Sequence, residues 1–162
     1  MQKITPCLWF DHNAEEAVDF YISVFSALGK KKSKITGVAR YGDAGPGPKG
    51  GVLTIKFKLD GQEFLALNGG PHFKFNEAIS LIVNCNTQKE VDRLWKKLSA
   101  GGKEVQCGWL KDKYGVSWQI VPTVLGALLS DKDAAKSQRV MEAMLKMVKL
   151  DIKKLKQAAK QK

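Results

Sequence analysis

Thiols, imidazoles and strand-end carboxylates are the side chains here that could do chemistry. The thiols are Cys7, Cys85 and Cys107. An odd number, set in apolar, strand-like text, predicts buried, reduced thiols rather than a disulfide framework. Cys7, between Pro6 and Leu8, has no cation close in sequence to lower its pKa. The imidazoles are His12, just ahead of a helix signal, and His72, in a Gly-Pro segment, and both positions predict capping or solvent exposure. Glu63 and Asp112 are the carboxylates nearest strand ends; both read as turn and edge residues rather than the buried acids that general acid–base catalysis uses. The glycine-rich stretch Gly42 to Gly51, GDAGPGPKGG, invites a phosphate-loop reading. Pro46 and Pro48 lack the N–H groups of such a cradle and no Lys-Ser or Lys-Thr follows, so it reads as a plain loop.

Two related stretches must position these residues. Ile4 to Tyr21, ITPCLWFDHNAEEAVDFY, and Ala78 to Trp95, AISLIVNCNTQKEVDRLW, superpose after a shift of 74 residues, which lays Asn13 on Thr87, Glu16 on Glu90 and Tyr21 on Trp95. Each supplies an apolar strand, an N-cap with Glu three positions later, and a helix with apolar residues at 3.6 spacing. In the first helix the stripe is Ala17, Phe20, Tyr21, Val24 and Leu28, stopped by Gly29; in the second it is Val91, Leu94, Trp95 and Leu98, stopped by Gly101-Gly102. Strands follow each helix. Lys34 to Tyr41 alternates weakly; Leu53, Ile55, Phe57 and Leu59 alternate with Thr54, Lys56 and Lys58; Asp60-Gly61 turns the chain into Glu63 to Asn68. The second half opens on Ile79 to Cys85, and Trp109 to Lys111 turns through Asp112 to Gly115 into Val116 to Val121. From Pro122 the text is helical, with Val140, Met144, Met147 and Val148 as a stripe to dock on the sheet or a second subunit, and Asp151 caps a last helix carrying Ile152, Leu155 and Ala159.

The order is β-α-β-β-β, twice. The fold class expected is α+β: two paired βαβββ modules forming a curled mixed sheet, plus C-terminal helices. One domain spans 1–162, with module one over about 1–70, module two over about 76–122 and helices over about 123–162; 162 residues suit one domain with a real core. No apolar run approaches the roughly 20 residues of a membrane span, and no signal peptide is legible, so a cytoplasmic location and no membrane partner are expected. The net charge is +11, and from Lys132 to Lys162 ten basic residues face Asp133, Glu142 and Asp151. No helix-turn-helix, zinc finger or interleaved aromatic-basic motif accompanies this charge, so nucleic acid is not the expected partner and the tail reads as a solvated basic face.

The segments ITPCLWFDHNAEEAVDFYISVF, ISLIVNCNTQKEVDRLW, CGWLKDKYGVSWQIVPTVL and VMEAMLKMVKLDIKKL resemble the PhnB-like branch, often labelled 3-demethylubiquinone 3-methyltransferase, of the vicinal-oxygen-chelate superfamily of glyoxalase I, bleomycin-resistance proteins and extradiol dioxygenases. The resemblance covers nearly the whole chain and implies the glyoxalase-like fold. It does not bring a methyltransferase motif: the Gly-rich loop carries prolines and does not join a buried strand to a helix.

In the superfamily's metal enzymes each module gives one ligand from its first strand and one from its last. The resemblance and the repeat place these at Pro6, Ala66, Ser80 and Gln119, a set that cannot hold a divalent ion. The expectation is therefore no metal and no cofactor, with a pocket drawn from Leu8, Asn68, Ser80, Trp109, Ser117 and Gln119 that suits a small organic ligand. A metal-free binding protein, expected as a homodimer, is the leading reading. The alternatives are a metal-independent enzyme of the same fold and nucleic-acid binding through the basic C-terminal tail.

Overall fold

In the computed structural model, residues 2–27 and 32–161 are described. The chain divides into two compact units, Met1–Phe75 and Asn76–Lys162. The first carries β1 (Cys7–Phe10), α1 (Ala14–Ser26), β2 (Lys34–Arg40), β3 (Val52–Leu59) and β4 (Gln62–Asn68) in one mixed sheet of order β1-β4-β3-β2, with β1 parallel to β4. Asp60 and Gly61 close the β3–β4 hairpin with φ of 45° and 87°, the pair of positive values that a two-residue turn between twisted strands requires. Ile55, Phe57 and Leu59 are buried as their alternation predicts, but Val52 is buried in place of Leu53. A register shift between Ala39 and Arg40 on the neighbouring strand reverses the parity there.

Helix α1 buries Ala17, Tyr21 and Val24 as expected, and Ala14, Val18 and Phe25 besides. The expected Leu28 and Gly29 lie outside the described residues. The expected local cap does not form, because Asn13 makes no side-chain cap bond. Asn68, at the end of β4, does that work: its Oδ1 accepts from the Ala14 N–H at 2.9 Å, and its Nδ2 donates to the Val52 carbonyl at 3.0 Å and to Glu15 Oε2 at 3.1 Å. An orphan helix N–H is thus satisfied from 54 residues away. Asn68→Ala is expected to cost roughly 2–3 kcal/mol in urea denaturation, because it strands a buried N–H and a buried carbonyl, whereas Asn13→Ala should cost a few tenths.

The second unit repeats the plan with β5 (Leu81–Cys85), α2 (Gln88–Leu98), β6 (Lys103–Glu104), β7 (Trp109–Lys111) and β8 (Ser117–Pro122), ordered β5-β8-β7-β6 with β5 parallel to β8. Here the capping box forms locally: Thr87 accepts from Glu90 N–H and the Glu90 carboxylate accepts from the Thr87 N–H. The position that corresponds to Asn68 is Pro122, since Phe10 pairs with one and Cys85 with the other. Proline has no side-chain amide to lend, so the second helix relies on its own cap.

Three helices complete this unit: α3 (Thr123–Leu129), α4 (Ala134–Leu145) and α5 (Ile152–Lys160). The expected stripe packs among these helices and against the sheet: Val140, Leu125, Leu150 and Leu155 form a cluster flanked by Met144, Met147 and Val121 of β8, while Val148 is exposed. Asp151 caps α5, accepting from the Lys154 N–H. Gln88, at the start of α2, accepts from Ile152 N–H and donates to the Leu150 carbonyl. The Cys107 and Gly108 N–H groups donate to the Met147 and Val148 carbonyls, fixing the α4–α5 connection. Among the described residues no helix is long and apolar enough to cross a membrane.

Candidate functional site

Side chains alternate between the faces of a strand, so one anchored residue orients a whole sheet. In the first sheet Asn68 reaches the N-terminus of α1. The register then puts Leu8, Phe10, Phe64, Ala66, Ile55 and Phe57 on the same helix-facing side, all buried. Leu8, expected to line a ligand pocket on the sheet, is therefore core, while Asn68, expected there too, caps α1 and borders a cleft within this unit. In the second sheet Leu110, Trp118, Ile120 and Cys85 are the buried, helix-facing set. Trp109, Ser117 and Gln119 fall on the open side, and Gln119 Nε2 donates to Ser80 Oγ at 2.8 Å. The four expected pocket residues of the second unit thus share one face.

The faces also correct the repeat. Val83 and Cys85 take the places of Leu8 and Phe10, 75 residues on, whereas the caps Asn13 and Thr87 are 74 apart. A one-residue slip exchanges the faces of a strand. Gln119 pairs with Ile82 as Leu65 pairs with Cys7, so the open-face counterparts of Ser80 and Gln119 are Thr5 and Leu65, not Pro6 and Ala66. Ala66 is wholly buried beneath α1. The corrected quartet of Thr5, Leu65, Ser80 and Gln119 fits a divalent metal no better, since leucine cannot ligate and hydroxyl and amide oxygens are weak donors. Among the described residues no group of three or more His, Cys, Asp or Glu side chains could hold a metal ion.

The open face of the second sheet carries a polar row. Directly opposed residues share a face, and Lys103 on β6 opposes Lys111 on β7, which opposes Ser117 on β8; Ser80, just ahead of β5, is held to Gln119 on the same face. Lys111 Nζ meets Glu77 Oε1 at 2.5 Å, and that hydrogen bond is the main reason the Glu77 carboxyl sits below its ordinary pKa. Ser117 is 2% exposed, and its hydroxyl has no hydrogen-bond partner among the described residues. Neither lysine was legible as a site residue in the sequence, because strands of two and three residues show no usable periodicity and their pairing is not local.

Asp112 holds this row in place. Its carboxylate is buried, with Oδ1 accepting from the Tyr114 and Val116 N–H groups at 2.9 and 3.0 Å and Oδ2 from Trp118 Nε1 at 2.8 Å. It is a turn residue, as expected, and it pins Lys111 and Ser117 at the two ends of the β7–β8 turn. Glu63 accepts from the Gln2 N–H and pairs with Lys58 at 3.0 Å, which together hold its carboxyl below the usual range.

The thiols divide. Burial pushes Cys85 up to about 12, far from a thiolate at neutral pH. Cys7, expected to be buried, is exposed on the open side of its strand, although partial desolvation still raises its pKa. A separate cleft of about 460 Å³ lies within the first unit, lined by Asp11, His12, Glu15, Asn68, His72 and the Gly-Pro loop. That loop folds onto Tyr41, and a Cβ on Gly47 would come within 2.2 Å of the tyrosine ring. Gly45 and Gly47 serve close approach to the ring, and the Tyr41 hydroxyl donates to the Asn68 carbonyl.

A repeated βαβββ module, each with a four-stranded mixed sheet covered by a helix on one side, defines a glyoxalase-like α+β protein. The chain belongs to the family described as 3-demethylubiquinone-9 3-methyltransferase, whose model matches residues 2–121. Among solved structures it is similar to a Bacillus cereus protein named for 3-demethylubiquinone-9 3-methyltransferase and PhnB, at 40% identity over 75% of this chain and 100% of that one, with a TM-score of 0.66. A Pseudomonas aeruginosa protein shares the fold at 21% identity and TM-score 0.60, over 75% and 98% of the two chains. A glyoxalase/bleomycin resistance protein from Albidiferax ferrireducens, at 12% identity and TM-score 0.45 over 72% and 95%, is too distant to carry weight. No curated protein matches the chain. The PhnB-like assignment read from the sequence stands, and the family match stops within β8, ahead of α3 to α5.

Proposed function

We propose that this chain binds a small organic molecule without a metal, on the open face of its second sheet, and that the methyltransferase name does not describe its chemistry. One observation carries the reading: the Ser117 hydroxyl is buried without a hydrogen-bond partner among the described residues, on the same face as the Ser80–Gln119 pair. A buried, unsatisfied polar group costs stability, and a ligand that completes its hydrogen bond gives a reason to keep it. The metal-free part is supported by the donor set of Thr5, Leu65, Ser80 and Gln119. The doubt about methyl transfer is supported by the two strand-to-helix connections, Asp11-His12-Asn13 and Asn86-Thr87, which contain no glycine to admit a nucleotide-like cofactor against the backbone.

The test is a thermal-shift screen of the full chain against a small-molecule library, with and without added zinc, nickel or iron. A ligand that binds the folded state raises the melting temperature by mass action. Ser117→Ala is expected to raise the stability of the free protein by about 1 kcal/mol, because it removes the orphan hydroxyl, while weakening every hit; Gln119→Leu should weaken the hits too. Hits that survive both substitutions unchanged would place the ligand elsewhere, and binding seen only after metal is added would end the metal-free reading.

A further inference from the structure

We propose that the ligand is a small organic anion whose oxyanion group is held by Lys103, Lys111 and Ser117, displacing Glu77 as their internal counter-ion. This rests on reading the open face of the second sheet as the ligand site. Like charges placed directly opposite one another on a sheet repel and destabilise it, yet Lys103 and Lys111 are direct cross-strand partners. Among the described residues one carboxylate, that of Glu77, pairs with this couple. Glu77 lies in the turn ahead of β5, with its side chain 62% exposed; it pairs with the half-buried Lys111 at hydrogen-bond distance and feels Lys103 only as a weaker through-space attraction. Lys103 makes no ion pair among the described residues. Two ammonium groups against one loop carboxylate leave one positive charge over on this row.

The next residue across the row is Ser117, whose buried hydroxyl has no hydrogen-bond partner among the described residues. A hydroxyl donor and two ammonium groups form a donor set for an oxyanion, whether carboxylate or phosphate, and charge-assisted hydrogen bonds of this kind are the strong ones. Glu77 already presents a carboxylate to Lys111, so an incoming acid exchanges one oxyanion for another. The lysine keeps a partner in both states. Trp109, opposite Gln119 on the same face, offers an aromatic surface beside the row.

Isothermal titration of the full chain with benzoate and phenyl phosphate, against the neutral benzamide and phenol, tests this. The anions should bind and the neutral compounds should not, and whichever anion binds more tightly identifies the oxyanion. Lys111→Met and the exposed Lys103→Met should each weaken binding about tenfold or more, with circular dichroism confirming the fold. Glu77→Gln should tighten binding several-fold by removing the internal competitor, an effect that a purely structural ion pair would not produce. Equal binding of benzamide, an unchanged or weakened affinity in Glu77→Gln, or no binding by either anion would overturn the proposal. If neutral library compounds still bind in a manner that depends on Ser117 and Gln119, the small-molecule reading survives and only the anionic class falls. If nothing binds this face, both fall.

Discussion

Asp112→Ala is expected to lower the stability of the chain by roughly 3–6 kcal/mol, because two buried donors and a third, part-buried one lose a charged acceptor at once, and each buried hydrogen bond to a charged group contributes about 1.5–3 kcal/mol. The donors are the Tyr114 and Val116 N–H groups and the Trp118 indole. Such a loss is a large share of the ~5–15 kcal/mol that separates folded from unfolded states in a typical domain. Urea denaturation followed by tryptophan fluorescence would measure it. Asp112→Asn should fall between, since the amide keeps one acceptor oxygen but sets an N–H₂ against the indole N–H. Trp118→Phe loses a single bond, and the Asp112→Ala and Trp118→Phe costs should add to more than the double mutant shows, because both remove one interaction. Additive costs would mean that the carboxylate does not hold the indole.

Gly102→Ala is expected to be as damaging for a different reason. A Cβ at this position would lie 2.0 Å from the Lys111 carbonyl oxygen and 2.8 Å from the Asp112 carbonyl carbon, and both are backbone atoms that no rotamer change can move. The connection from α2 into β6 must shift bodily, so the expected loss exceeds about 4 kcal/mol, in the range kept for severe core and backbone defects. Gly126 is the control. It lies within α3 with nothing within 4 Å of its would-be Cβ, and Gly126→Ala should add about 0.5–1 kcal/mol through helix propensity alone. A Gly102→Ala protein within 1 kcal/mol of the parent would show that the close approach is not obligatory.

Both substitutions strike the scaffold of the polar row. Gly102 precedes Lys103, and Asp112 lies between Lys111 and Ser117. Milder variants at these positions are therefore expected to lose ligand affinity along with stability, whereas Ser117→Ala separates the two by gaining stability and losing affinity.

Much of the fold was legible because it is written in local periodicities. The apolar stripes of α1 and α2, the alternation of Ile55, Phe57 and Leu59, the Asp60-Gly61 turn and the Thr87–Glu90 box each report on neighbours within a few residues. Those patterns were enough to order two βαβββ modules and to place the PhnB-like resemblance. The cap of α1 was misread for the same reason: Asn13 and Glu16 have the right types and spacing, but Asn68 reaches the helix first from another strand.

Of the site, the sequence by itself determined side-chain chemistry: proline, alanine and leucine offer no donor atom to a metal wherever they point, because donor chemistry belongs to the side chain alone. Which face each residue occupies was a tertiary decision. The period of a strand is two, so a repeat offset of 75 rather than 74 moved Leu8, Pro6 and Ala66 out of the reckoning and brought in Thr5 and Leu65. Strand pairing also aligned Lys103, Lys111 and Ser117 into one row, and Gln119 ties Ser80, distant in the chain, to the same face. Cross-strand register depends on contacts between distant segments, and no local pattern in the sequence encodes it.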